Sequence, residues 1–228
     1  MAGTVQDFLD HLIARHRVIL IGGLAVIAHG LSRHTKDAGV WLDPMDCSAS
    51  WAGFLEQACA AFPGTSLHRI PGWQRVERGA VAQAVEEVGM VRVQGLNLPL
   101  DVFRRPNGFE ETDFEAVLHD SSRQGDGSYL PSPVDLIQTK NDTGRKSDIS
   151  DIFHLEALIQ EDYRRRLPRA SLAEARHLLS EYSEWRVLQA ALENPDEAVR
   201  ALAREHLREF AAAGDPFSQT ILEGRPVP

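Results

Sequence analysis

At 228 residues the chain is long enough for one large domain or two small ones, and either can bury a hydrophobic core. Its 43% hydrophobic and 25% charged residues are the balance of an ordinary globular protein. A formal net charge of −9 at pH 7 argues against indiscriminate binding to nucleic acid or an anionic membrane, yet it permits a local basic pocket.

Val5, Phe8, Leu9, Leu12 and Ile13 recur at helical spacing and predict an opening amphipathic helix. RVILIGG predicts a buried strand over 18–21 that runs into a Gly-Gly turn. A short apolar helix follows, with Gly30 as its end, and then a polar run, SRHTKD. AGVWL predicts a second strand, closed by Asp43-Pro44. Residues 48–61 read as an amphipathic helix stopped by Pro63-Gly64. Short strands are expected near 67–70 and 73–78, and a helix near 80–87. MVRVQGLNLPLDVF reads as a hairpin with arms over 90–93 and 98–103, joined at Gly95. Its period of two puts Leu98, Leu100 and Val102 on one face, and Pro99, Asp101 and Phe103 on the other.

The polar Gly/Ser-rich stretch over 120–128, followed by Pro131 and Pro133, is the expected domain boundary. Beyond it the chain reads as helices near 132–141, 146–160, 171–180, 183–192 and 195–213. Ser132 is the expected cap of the first, with Pro133 at its first position. The segment after Gly214 is expected to be loosely ordered. The fold class is therefore α/β (α+β): a mixed sheet flanked by helices over 1–130, then a helical domain over 131–228.

Two cysteines, Cys47 and Cys59, are too few for a disulfide scaffold or a cysteine-based zinc site. The opening MAGTVQDFLDHLIARH lacks the basic start and apolar core of a signal peptide. No apolar run approaches the roughly 20 residues that span a bilayer. A reduced, cytoplasmic setting is the expectation.

The segment richest in chemistry is IGGLAVIAHGLSRHTKDAGVWLD, residues 21–43. A strand ends in Gly22-Gly23, a helix begins at once, and a second strand brings Asp37 to its start. Glycines let backbone N–H groups approach a phosphate, and a carboxylate nearby can hold Mg2+. An isolated Gly-Gly pair reads first as a tight strand-to-helix turn. Arg33 and Lys36, just before Asp37, are candidates to neutralise phosphate, or are solvated loop charges. His29 and His34 lack a third ligand at metal-binding spacing. Trp41 and Trp51 read as core, and Arg164 to Arg166 as an exposed helix end.

Gly22, Gly23, Arg33, Thr35 and Asp37, then Asp101 in LPLDVF, then Lys140, Arg145, Lys146, Asp148 and Asp151 in DLIQTKNDTGRKSDISDIFHL form an ordered series. In that order they resemble the nucleotidyltransferase superfamily of the DNA polymerase β type. The likeness is to its small prokaryotic branch, which includes AbiEii-like components of toxin–antitoxin systems. It touches residues 18–43, 97–104 and 133–155. It implies a nucleotidyltransferase-like fold and Mg2+ held by Asp37 and Asp101. The nucleotide would meet Gly22, Gly23, Arg33, Lys140 and Arg145, with Asp148 or Asp151 orienting a basic residue or the acceptor. The implied activity is transfer of a nucleoside monophosphate from an NTP to an RNA, protein or small-molecule acceptor, with an antitoxin as a possible partner. Without the resemblance, Asp148 and Asp151 read as charges that complement a helix dipole and solvate one face.

The sequence departs from the pattern at Gly39, two residues after Asp37, where the family usually carries its second aspartate. Asp43 has the parity of Asp37 but lies about 20 Å along an extended strand, a poor substitute. Three alternatives stand: a degenerate enzyme, a carboxylate recruited from elsewhere, or an inactivating Asp→Gly substitution, natural or engineered. Three functions follow: a Mg2+-dependent transferase, a degenerate module that binds nucleotide or a partner without turnover, and a plain interaction protein of a toxin–antitoxin pair.

Overall fold

The computed structural model describes residues 3–141 and 145–225. Helix α1 (Val5–Ile13) starts at a reciprocal capping box: the Thr4 hydroxyl accepts from the Asp7 N–H, and the Asp7 carboxylate accepts from the Thr4 N–H. Strand β1 (Val18–Ile21) passes directly into α2 (Gly22–Ala28), with Gly22 in the left-handed region at φ 63°. Then come β2 (Ala38–Leu42), α3 (Ser48–Ala61), β3 (Ser66–Arg69), β4 (Gln74–Arg75) and α4 (Val81–Val88). Next are β5 (Met90–Gln94), β6 (Leu100–Phe103), α5 (Phe114–Asp120), β7 (Ser122–Arg123), β8 (Tyr129–Leu130) and α6 (Pro133–Gln138). Helices α7 (Lys146–Arg166), α8 (Leu172–Glu181), α9 (Trp185–Ala191), α10 (Glu197–Ala212) and α11 (Pro216–Leu222) complete the described chain.

The eight strands among the described residues form one mixed sheet in the order β4-β3-β5-β6-β2-β1-β8-β7. Two neighbouring pairs are parallel, β2 with β6 and β1 with β8, and the rest are antiparallel. Strand alternation separates two faces. Val18, Val40, Leu42, Val91, Val93, Leu100 and Val102 join α1 and α3 in the larger core. On the opposite face, Ile19, Ile21 and Trp41 pack with Phe114 and Val117 of α5. Gly39, Arg92, Asp101 and Phe103 have the parity of this second face. Phe103 packs against that cluster, and all four line a cavity.

The chain divides into two compact units, Met1–Ile152 and Phe153–Pro228. The division falls within α7 and not at the boundary expected at 130/131. The Gly/Ser-rich stretch that suggested the earlier boundary is part of the sheet, since Ser122 and Arg123 pair with Leu130 and Tyr129, and Tyr129 pairs with Ile19. The second unit is helical. Its core includes Leu155, Ile159, Leu178, Leu188 and Leu207. The buried Asn194 donates to the carbonyls of Leu167 (2.7 Å) and Ala170 (2.9 Å), tying the chain before α8 to the turn before α10.

The segment expected to be loose after Gly214 contains α11, capped by Asp215 accepting from the Ser218 N–H, with Pro216 at its first position. Trp185 stacks on Phe217 with ring centroids 4.8 Å apart, which gives this helix a packing partner. Helix α5 is an element the sequence reading did not foresee. The expected strand over 73–78 contracts to β4, two residues long. Among the described residues no helix is long and apolar enough to cross a membrane.

Candidate functional site

Within the first unit, a cavity of about 690 Å3 opens on the second face of the sheet, at the end where β1 enters α2 and where β2 begins. Gly22, Gly23, Arg33, Lys36, Asp37, Asp101, Lys140, Arg145 and Asp148 all line it, although they come from three separated stretches of chain. The parallel pairing of β2 with β6 sets Gly39 beside Asp101 and brings the two carboxylate-bearing strands together. Asp37, two residues before Gly39, shares its parity and its side of the sheet.

Gly23 has a local reason to be bare. A Cβ there would lie 2.6 Å from the Thr35 hydroxyl and 3.1 Å from Arg33 Nη2. Thr35 in turn donates to the Asp37 carbonyl at 2.6 Å and so shapes the chain just before β2. The second glycine of the turn therefore makes room for the arginine loop, whatever else it does.

Asp151 does not line the cavity. It is fully buried, and its Oδ2 accepts from Arg33 Nη2 (2.7 Å) and from Lys140 Nζ (2.7 Å). Asp148 Oδ1 lies 3.3 Å from the same Lys140 Nζ. One turn of α7 thus holds two basic residues that belong to distant segments. Residues 142–144, inside the run that carries Lys140 and Arg145, lie outside the described residues.

The residue that sequence reasoning missed is Arg92. It stands opposite Asp101 in the β5–β6 register. Its Nε lies 2.6 Å from Asp101 Oδ1 and its Nη2 2.8 Å from Asp101 Oδ2, while Nη2 also lies 3.1 Å from Asp37 Oδ2. Its guanidinium carbon sits 3.6 Å from the centroid of the Trp73 ring, which lines the same cavity. A signal existed in MVRVQ: a charged residue between two valines of an alternating strand belongs to the face opposite them, and the hairpin register puts that face against Asp101.

Burial pushes the Asp101 carboxyl above its ordinary 3.8, and the Arg92 hydrogen bonds and charge pull it back only in part. The same pairing holds the Arg92 guanidinium above its ordinary value.

No protein-family model matches the chain, and no curated protein matches its sequence.

The two carboxylates do not fit a divalent ion in this arrangement. Both Asp101 oxygens and one Asp37 oxygen accept from Arg92, and position 39 offers no side chain. Among the described residues no group of three His, Cys, Asp or Glu is placed to hold a metal. Mg2+ takes near-octahedral oxygen coordination, so a bound guanidinium on the same oxygens competes with it directly. Asp43 is no replacement: it is bound to Arg17 at 2.6 Å and lies outside the lining. His29 is also engaged elsewhere, with Nε2 2.9 Å from the Pro131 carbonyl. Trp41 and Trp51 are core, as expected.

The described lining carries five basic residues (Arg33, Lys36, Arg92, Lys140, Arg145) against three acidic ones (Asp37, Asp101, Asp148). Arg33 and Lys140 are tied to Asp151, and Arg92 to Asp37 and Asp101. Lys36 and Arg145 have no ion-pair partner among the described residues. An anion entering the cavity would find those two charges uncommitted.

Proposed function

We propose that the first unit is a nucleotidyltransferase-like domain that binds the phosphates of a nucleotide without metal-dependent transfer. The observation that carries this reading is Arg92, whose guanidinium spans Asp37 and Asp101 where the family pattern would put a metal. A guanidinium shared by the two carboxylates offsets one of their two negative charges and competes with an added cation for the same oxygens. Gly39 points the same way, because the third ligand of a metal clamp is missing beside Asp101.

The cavity volume falls within the roughly 300–1,000 Å3 of small-molecule sites. Lys36 and Arg145 supply the anion-binding charge. Such a concentration of basic groups matters more in a chain whose net charge is −9.

A second reading, Mg2+-dependent transfer from an NTP to an RNA, protein or small-molecule acceptor by a toxin component with an antitoxin partner, is favoured by a different observation. Asp37 and Asp101 share one cavity with Gly22, Gly23, Lys140 and Arg145. It requires Arg92 to release both carboxylates.

Two measurements on the full chain separate the readings: equilibrium binding of each NTP with EDTA or with Mg2+, and transfer of labelled α-phosphate to total RNA and cell extract. Binding that persists in EDTA, with no label transferred, is the expected result. Binding that appears only with Mg2+, or label transfer by the chain itself, would replace the first reading with the second.

A further inference from the structure

The cavity has two chemically distinct ends. Toward β1 and β2 it is cationic, with Arg33 beside Gly23 and Lys36 just before Ala38, and Arg145 also lines it, its charge acting on the Asp101 carboxylate. Toward β5 and the β3–β4 hairpin it is apolar, with Ile70, Trp73, Val88 and Met90. Strands β1 and β5 are three places apart in the sheet, about 14 Å at the usual strand spacing. A free phosphate would use only one end. Arg92 joins the two, because its guanidinium lies on the Trp73 ring and also reaches Asp37, the neighbour of Lys36.

Trp73 is held in a way that local preference opposes. It sits at φ 53°, in the left-handed region that bulky residues rarely enter. Glycine or asparagine would serve the hairpin turn better. The backbone there is pinned by the His68 ring, whose Nδ1 lies 2.7 Å from the Trp73 carbonyl, and His68 Nε2 lies 2.9 Å from the Ser66 hydroxyl. The residue is still 36% exposed although Arg92 covers one face of the ring. A large aromatic kept at an unfavourable position, half covered and facing a cavity, is a platform for another flat ring.

We infer that Trp73 is the base-stacking residue of this cavity, taking the nucleobase of a nucleotide whose phosphates run toward Lys36 and Arg145. The inference rests on the cavity being a nucleotide site, and it assigns the aromatic end of that site. Stacking on an indole accepts any base through its π-face, so it supplies affinity with little base selectivity.

The test is calorimetric titration of the full chain, in EDTA, with ATP, GTP, CTP, UTP and inorganic tripolyphosphate, repeated on Trp73→Ala and Trp73→Phe. The expected result is that the nucleotides bind about tenfold or more tightly than tripolyphosphate. Trp73→Ala should bring them down to the tripolyphosphate level, and Trp73→Phe should keep most of the difference. A unit still folded by circular dichroism makes the alanine result interpretable, and the phenylalanine variant controls for loss of the hairpin. If nucleotides and tripolyphosphate bind alike, and Trp73→Ala changes neither, the stacking role is overturned while the anion site stands. If none of the five binds, both the stacking role and the nucleotide reading fall.

Discussion

Arg92 and Asp101 face one another across the β5–β6 pairing and make a two-point ion pair, with Nε 2.6 Å from Oδ1 and Nη2 2.8 Å from Oδ2. The pair is partly buried, with side-chain exposures of 14% and 16%, so each charge depends on the other for solvation. Replacing Arg92 by alanine leaves two carboxylates facing one cavity. A loss of about 2 kcal/mol in urea denaturation is expected. Mg2+ or Mn2+ should restore part of the loss in the variant and do little to the parent chain. Equal stabilisation of both by the metal would show that the guanidinium does not stand in for a cation.

Gly39→Asp places a carboxylate on the strand neighbour of Asp101. The new Cβ would lie 3.3 Å from the Ile21 carbonyl oxygen, so the backbone must give by a few tenths of an ångström. A further negative charge beside Asp101 adds repulsion on the order of 1 kcal/mol unless a cation arrives. The variant should therefore lose stability in EDTA and regain it with Mg2+. Labelled α-phosphate transfer by the variant and not by the parent would mark a transferase silenced at one position. An EDTA-insensitive variant would argue against any metal site at this end of β2.

The raised carboxyl of Asp101 has a consequence for acid stability. In the folded chain this group takes up its proton at a higher pH than in the unfolded chain. Its contribution is fully present below the ordinary 3.8 and is lost as pH rises through the folded value. Asp101→Asn removes that titration. The stability of the parent chain relative to Asp101→Asn should fall as pH rises through this window, measured by urea denaturation at a series of pH values. A difference that grows with pH would mean that the Arg92 pairing outweighs burial.

Asp151 is fully buried and accepts from two cations, Arg33 and Lys140. Lys140 is itself 95% buried, counting from its 5% exposure. Asp151→Ala leaves a buried ammonium undercompensated, at a cost of about 3–5 kcal/mol. Thermal unfolding should show a large drop. A change within error would mean that Lys140 finds another arrangement.

The two thiols should separate cleanly by reactivity. Burial pushes Cys59 up to about 11, whereas Cys47 is exposed and its thiol is held below the ordinary value by hydrogen bonds from Ser50. Because the thiolate is the reactive form, a chromogenic disulfide reagent at mildly alkaline pH should label Cys47 quickly and Cys59 only on unfolding. Cys47→Ser should abolish the fast phase, and its persistence would refute the assignment.

How much of this was legible beforehand depended on the range of the interaction. Strand β2 and helix α3 follow their apolar patterns and breakers to the residue, since Pro63-Gly64 and Asp43-Pro44 act locally. The Ser132–Pro133 start of α6 was readable for the same reason. The start of α11 carries the same kind of signal in Asp215-Pro216, but the run lacks a long apolar period and by pattern alone reads as a loose segment. Strands β7 and β8 have two residues each, too short for any periodicity, and β8 exists because β1 lies beside it.

The sequence by itself determined the mixed α/β character, the order of the main elements, and the series of glycines and charged residues that runs from Gly22 to Asp151. Those follow from side-chain period, turn chemistry and residue type, all properties of short stretches. Only the tertiary structure decided that Gly39 sits beside Asp101, that Asp151 backs the cavity instead of lining it, and that Arg92 spans the two carboxylates. Register, crossover pairing and ion-pair partners join residues tens of positions apart. They are settled by which faces of the sheet are buried, and no local pattern records that.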